Sequence, residues 1–298
     1  DPEMSRGLGD VYKRQSLFGI NYQVAMMLSA LLIVGYTITG GFNAVCVTDL
    51  VQSIVMTGAL AIVLIYGITS AGGWTAVMDN AAALPGYLSL TSTFDVASGS
   101  EVKYNFLTIF STAAWGLGYF GMPHILVRFM AIEDEKKLVL SRRIASVWVV
   151  IAMTAGVLIG IVGLGMTKAG ALETLTGSNS ETIIVRIAGI ISQHNALTAL
   201  IAGIILAGIL AATMSTADSQ MLAAASGVSQ NIVHDFLKIK ISEKTNLLIA
   251  RLTIVGIAIV SIFLARNPNS SVFKIVSFAW AGFGGAFGAV VLLSLIHI

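Results

Sequence analysis

The residues best suited to chemistry lie in two short stretches. One reads Ala212-Thr213-Met214-Ser215-Thr216-Ala217-Asp218-Ser219. On a helix the carbonyl of Ala212 points toward the turn that holds Ser215 and Thr216, so one carbonyl and two hydroxyls can converge on one side. Neutral oxygens in that arrangement suit a weakly held monovalent cation. The plainer alternative is that both hydroxyls bond back to a carbonyl one turn earlier, as serine and threonine commonly do in membrane helices. The other stretch reads Trp115-Gly-Leu-Gly118-Tyr119-Phe-Gly121-Met-Pro123-His124. Three glycines and a proline there predict a broken helix, because proline withholds an N–H and glycine tolerates the resulting backbone. With Trp115, Tyr119 and Pro123 spaced four apart, an α-helix would line them along one face, a lining suited to a small amphipathic solute.

Two acids, Asp49 and Asp218, fall in or near apolar segments, a costly placement that is usually functional or paired. Either is suited to an ion pathway or to an aqueous vestibule. His124 has no second histidine or cysteine at metal-ligand spacing, and we expect a hydrogen-bonded core histidine. The run Glu133 to Lys137 reads as a solvated loop. Cys46, the single cysteine, packs as a small apolar residue. A nucleophile elbow, a phosphate loop and a zinc motif are all absent from the sequence, so we expect no enzymatic function.

The elements that position these residues are membrane helices. Apolar residues make up 56% of the 298 and charged ones 11%, too few charges to cover a soluble fold. The net charge of +2 gives no sign of a nucleic-acid partner. Seven segments reach the roughly twenty residues needed to cross a bilayer core: Gly19–Gly40, Val45–Ala71, Asn105–Met130, Ile144–Met166, Ala196–Val228, Leu247–Leu264 and Val272–Leu295. The expected fold class is therefore an all-α polytopic membrane protein of about seven transmembrane helices. Gly41 to Ala44 reads as a tight turn making the first two segments antiparallel neighbours. Lys and Arg concentrate after the third segment (Arg128, Lys136, Lys137, Arg142, Arg143) and after the fifth (Lys238, Lys240, Lys244, Arg251), which places those connections in the cytoplasm. The stretches 72–104 and 167–197 are poorer in positive charge and should face outside. Within the second of them, Glu181 to Gln193 reads as a short amphipathic surface helix. Residues 1–15 are polar and read as a non-native or scar segment, with a transporter domain over 16–298; Ser294 to Ile298 are suspect for the same reason, and we expect the chain to be an internal fragment.

Taken together, Gly40-Gly41-Phe42 with Thr48-Asp49 and Gln52, Trp115 to Met130, Ile209 to Thr216, and Ala279-Trp-Ala-Gly-Phe-Gly to Gly288 resemble the sodium:solute symporter family, most closely its sodium/proline branch. The resemblance spans about Leu17 to Leu293, in the family's order and intervals. It implies a five-plus-five inverted-repeat, leucine-transporter-like architecture, of which this chain would hold the last two helices of the first repeat (19–71) and the second repeat (105–295). It further implies a plasma (inner) membrane protein that carries a small solute, L-proline foremost, into the cell with Na+ as the coupling ion. Trp115, Tyr119 and Pro123, with Gly118 among them, match the solute pocket. Ala212, Ser215 and Thr216 match the sodium site, and Asp49 an acid on the ion's exit route. Met122 stands where some proline symporters have glutamine, and Asp218 is a further departure. The other readings are a symporter for a related organic solute and a transporter-like sensory membrane domain of a signalling protein.

Overall fold

The computed structural model describes residues 22–239, 241–265 and 272–297. The expected scar at 1–15 and the start of the first segment lie outside the described residues. What is described is all-α apart from one small hairpin, and five stretches are long and apolar enough to cross a membrane: Met26–Ser70, Glu135–Lys168, Ala196–Phe236, Glu243–Leu264 and Ile275–Ser294. Their outward surfaces carry large apolar side chains such as Leu31, Leu50, Ile54, Val150 and Val157, the lipid-facing belt of a membrane protein.

Five stretches and seven expected spans agree on inspection. Helix α1, Tyr22–Ser70, has 49 residues. At 1.5 Å per residue it would run to about 74 Å, more than twice a bilayer core of about 30 Å. It is interrupted at Gly41, whose φ of 61° and ψ of −167° are non-helical. Only glycine occupies that region without strain, so one residue does the work expected of the turn Gly41 to Ala44, and residues 42–44 are helical. Gly41→Ala should therefore destabilise the protein by about 1–3 kcal/mol, read as a lowered unfolding temperature in detergent, whereas Gly58→Ala, where an added Cβ meets open space, should leave it nearly unchanged. The expected third span is likewise interrupted, being divided into α3, Phe106–Ala113, a 3-10 stretch Ala114–Gly121 and α4, Pro123–Met130.

The chain divides into two compact units. The first comprises the described residues of Asp1–Met56, Pro123–Ala131 and Ala207–Val272. It holds the kinked part of α1, α4, the later part of α7 (Ala196–Ser226) with its π-helical continuation Gly227–Phe236, and α8, Glu243–Leu264. Ile33, Met221, Ala225 and Ile254 form its buried centre, with Val34, Ile38, Leu222 and Ile257 packed around them.

The second unit comprises Thr57–Met122, Ile132–Leu206 and the described residues of Phe273–Ile298. Its core joins Ala59 and Val63 of α1, Val77 of α2 (Trp74–Ala82), Ile159, Val162 and Met166 of α5 (Leu138–Lys168), Ile187 and Ile191 of α6 (Ile183–Ser192) and Ile205 of α7. Helix α6 corrects one expectation. A helix does lie within Glu181 to Gln193, but Ile187, Ala188 and Ile191 are fully buried and Ile183 sits where a Cβ on Gly163 would be, so it is a core helix and not a surface cap. Arg186, counted as an outer-loop charge, pairs with Glu173 at 3.0 Å.

The 72–104 stretch also holds an antiparallel hairpin, β1 (Ser92–Asp95) with β2 (Ser100–Lys103), closed at Gly99 with φ 63°. The Ser98 and Ala97 N–H groups donate to the Asp95 carboxylate at 3.1 and 3.2 Å. A hydrogen bond from the Ser98 side chain, and after it the Ala97 and Ser98 N–H groups, hold the carboxyl below its usual range. Two further helices, α9 (Val272–Phe283) and α10 (Ala289–His297), flank the π-helical turn Gly284–Gly288.

Candidate functional site

In the first unit, α7 brings the expected cation ligands together. The hydroxyls of Ser215 and Thr216 each donate to the Ala212 carbonyl at 3.1 Å. Three neutral oxygens thus lie within one turn, and both bonds are of the back-bonding kind. Each hydroxyl keeps lone pairs that are not spent on the carbonyl. The cluster fits a monovalent cation by donor type, since it offers oxygen ligands with no charge of their own.

One half-turn further on, Asp218 is fully buried. The Tyr36 hydroxyl donates to its Oδ2 at 2.7 Å. The Ser219 hydroxyl lies 2.7 Å from the Ser215 carbonyl and 3.3 Å from Asp218 Oδ1, and can give its one proton to either. Arg128, at the end of α4, donates both to Ser219 and to Asp49, forming an ion pair with the latter. The two expected ion-pathway acids are therefore linked, Asp49 to Arg128 to Ser219 to Asp218. Asp49 Oδ1 and the neighbouring Gln52 Oε1 remain buried acceptors with no donor among the described residues.

Three members of this network, Tyr36, Ser219 and Arg128, have no role in it that local sequence could assign. Tyr36 reads as one aromatic among many. Ser219 follows the more conspicuous hydroxyl pair. Arg128 counts toward the cytoplasmic charge, whereas it lies in the last turn of a helix and faces a carboxylate. The expectation for His124 also needs correcting: it is half-buried, borders a cavity and has no hydrogen-bond partner among the described residues. Glu133 and Lys137 do pair as an exposed i,i+4 bridge at 2.8 Å.

The aromatic stretch belongs to the second unit. The 3-10 winding has three residues per turn, so Trp115, Gly118 and Gly121 share a face, and Tyr119 is turned roughly 120° from Trp115. This corrects the single α-helical face expected for Trp115, Tyr119 and Pro123. Gly118 and Gly121 are buried against the α9 end and its π turn: Trp280 occupies the place of a Cβ on Gly118, and the Phe283 carbonyl that of one on Gly121. An added Cβ on Gly284 would lie 2.9 Å from Gly118 Cα. The aromatic rings close over this glycine seam. Trp115 stacks between Phe273 (5.7 Å) and Trp280 (5.9 Å), and Tyr119 meets Trp280 edge-on at 4.9 Å. The Trp280 indole N–H donates to the Trp115 carbonyl at 3.3 Å. Pro123, in the first unit, opens α4 and is exposed.

The sodium:solute symporter family model matches residues 14–297, which include every residue of both clusters. The chain belongs to the sodium:solute symporter family. Among its relatives, the osmoregulated proline transporter OpuE of Bacillus subtilis (strain 168) is 38% identical over 281 residues, covering 94% of this chain and 54% of the relative. The sodium/proline symporter of Escherichia coli (strain K12) is 36% identical over 283 residues, 94% of this chain and 53% of the relative. That of Staphylococcus aureus is 34% identical over 284 residues, with 94% and 52% covered. The chain spans about half the length of the curated relatives it matches. No solved structure matches at a significant level. Family and apolar helices together make the chain a multi-pass integral membrane protein.

Proposed function

We propose that the chain serves in sodium-coupled secondary active symport of a small solute, L-proline foremost, across the plasma membrane into the cell. The observation that carries this reading is the convergence of the Ala212 carbonyl and the Ser215 and Thr216 hydroxyls within one turn of α7, in a family member whose relatives are named proline transporters. A neutral three-oxygen cradle holds Na+ weakly enough to release it, and the sodium gradient supplies the work. In the wider architecture that the family resemblance implies, 19–71 closes the first five-helix repeat and 105–295 forms the second.

The solute side is drawn from Trp115, Gly118, Tyr119 and Pro123. The exposed Tyr119 ring, held edge-on against Trp280, offers an aromatic surface suited to a pyrrolidine, and its phenol hydroxyl offers a polar partner. Asp49 and Asp218 serve the ion's path toward the cytoplasm, with the unpaired Asp49 Oδ1 and Gln52 Oε1 as further oxygens on that path. Such a carrier needs no catalytic residue.

The test is uptake of labelled proline, with and without a sodium gradient, into proteoliposomes holding the full-length protein that contains this chain. Sodium-driven uptake is expected, and uptake indifferent to sodium would defeat the reading. Replacing Ser215 and Thr216 together with alanine removes two of three cradle oxygens. At about 1.5–3 kcal/mol for each bond to a charged group, half-maximal uptake should need at least tenfold more sodium. An unchanged sodium requirement would exclude both residues from the site.

A further inference from the structure

A cavity of about 350 Å³ lies wholly within the first unit, bordered by α1 at Gly41, by α4, by α7 with its π-helical continuation, and by α8. Its charged and titratable lining consists of His124, Arg128 and Arg251, with no acid among the lining residues. Arg128 is engaged by Asp49 and Ser219. Arg251 is exposed and has no hydrogen bond or ion pair among the described residues, although it sits inside an apolar span, Glu243–Leu264. The remaining polar lining is neutral: Thr37 of α1, Ser219 of α7, and Ser226, Ser229 and Gln230 around the start of the π-helical turn.

An unpaired guanidinium within a span marks a functional position unless something anionic meets it. Depth and surroundings indicate what that is. Arg251 lies eight residues into α8, about 12 Å from its start at 1.5 Å per residue, and its long stem can carry the charge back toward the headgroup level. The start of α8 carries Lys244 and follows the connection assigned to the cytoplasm, which contains Lys238. Beside Arg251, Leu247, Leu248 and Leu252 are 52–60% exposed, and on the π-helical stretch Ile232 and Phe236 are exposed as well. Asp235, the acid on that stretch, is paired with His234 at 2.8 Å. Basic groups at the inner interface beside apolar, lipid-facing side chains are the features that recognise an anionic lipid.

We propose that this cavity is a binding site for an anionic phospholipid of the inner leaflet. The phosphate sits against Arg251, the Ser226, Ser229 and Gln230 side chains hydrogen-bond the headgroup, and an acyl chain runs down the exposed leucines of α8. Occupancy would neutralise the one lining arginine that lacks a partner, and would wedge the Gly41 bend against α8.

The site is tested independently of transport by exchanging the chain into nanodiscs of equimolar phosphatidylcholine and phosphatidylglycerol and counting co-purifying lipids by native mass spectrometry. Phosphatidylglycerol should be retained preferentially. At about 1 kcal/mol per basic residue near the surface, Arg251→Leu should reduce that preference on the order of fivefold, Arg251→Lys should keep most of it, and Lys168→Gln, in the stretch expected to face outside, should change it little. Where Arg251→Leu fails to insert, Arg251→Gln, close in length and still polar, gives the same reading. Equal retention by the wild type and the Arg251→Leu or Arg251→Gln variants would overturn the proposal. So would displacement of the lipid by L-proline or by glycerol 3-phosphate, which would mark the cavity as a solute or small-anion chamber. Loss of sodium-driven uptake with lipid retention intact would count against the symport reading alone.

Discussion

Arg128→Leu is expected to lower the stability of the protein by about 3 kcal/mol, most of it through the charge it leaves behind. Removing one partner of a buried ion pair strands the other, at a cost of about 3–5 kcal/mol. The lower end applies here because the Arg128 side chain is 41% exposed while Asp49 is only 12% exposed. The guanidinium also satisfies Ser219, and through it bears on buried Asp218. The decisive comparison is Arg128→Leu with the double variant Arg128→Leu/Asp49→Asn. If the penalty is the stranded carboxylate, the double variant should recover at least 1 kcal/mol, measured by thermal unfolding in detergent. Additive losses would mean that the two residues act separately and that the pair does not join α1 to α4.

The second large effect is expected at the glycine seam of the second unit. Gly121→Ala would drive a Cβ into the carbonyl of Phe283, and Gly284→Ala would place one 2.9 Å from the Cα of Gly118. Both contacts are with backbone, which cannot rotate away as a side chain can. Overpacking of this kind costs about 1–3 kcal/mol, and each variant should reach the upper part of that range. Because the seam holds Trp115 against Trp280, the near-ultraviolet dichroism of the stacked indoles should weaken in parallel with stability. Gly116→Ala is the control, since nothing lies within 4 Å of an added Cβ there. Equal tolerance at positions 116 and 121 would show that the 3-10 and π-helical turns are not in contact.

What could be read from the sequence follows from how far apart the participants are. The convergence of Ala212, Ser215 and Thr216 was legible because it needs only the pitch of one helix. The spans were legible because length and apolarity alone decide them, and even the kink at Gly41 is announced by its residue type. Arg128 and Asp49, by contrast, are 79 residues apart, and Trp280 and Trp115 are 165 apart, so no local pattern could pair them. The spacing of Trp115 and Tyr119 misled because it was read at 3.6 residues per turn where the backbone winds at three. Helix α6 shows a further limit: an apolar stripe states that one face is covered, and not whether lipid or protein covers it.

The two back-bonds to the Ala212 carbonyl bear on the half of the proposed cycle in which nothing is carried. A cradle of bare oxygens would leave unmet polar groups inside the membrane each time the ion departed. Here both hydroxyls donate to the Ala212 carbonyl, so the turn satisfies its own polar groups without an ion. Under the proposed symport, such a turn would let the carrier reset without a passenger, and sodium would compete with these two bonds for the Ala212 carbonyl.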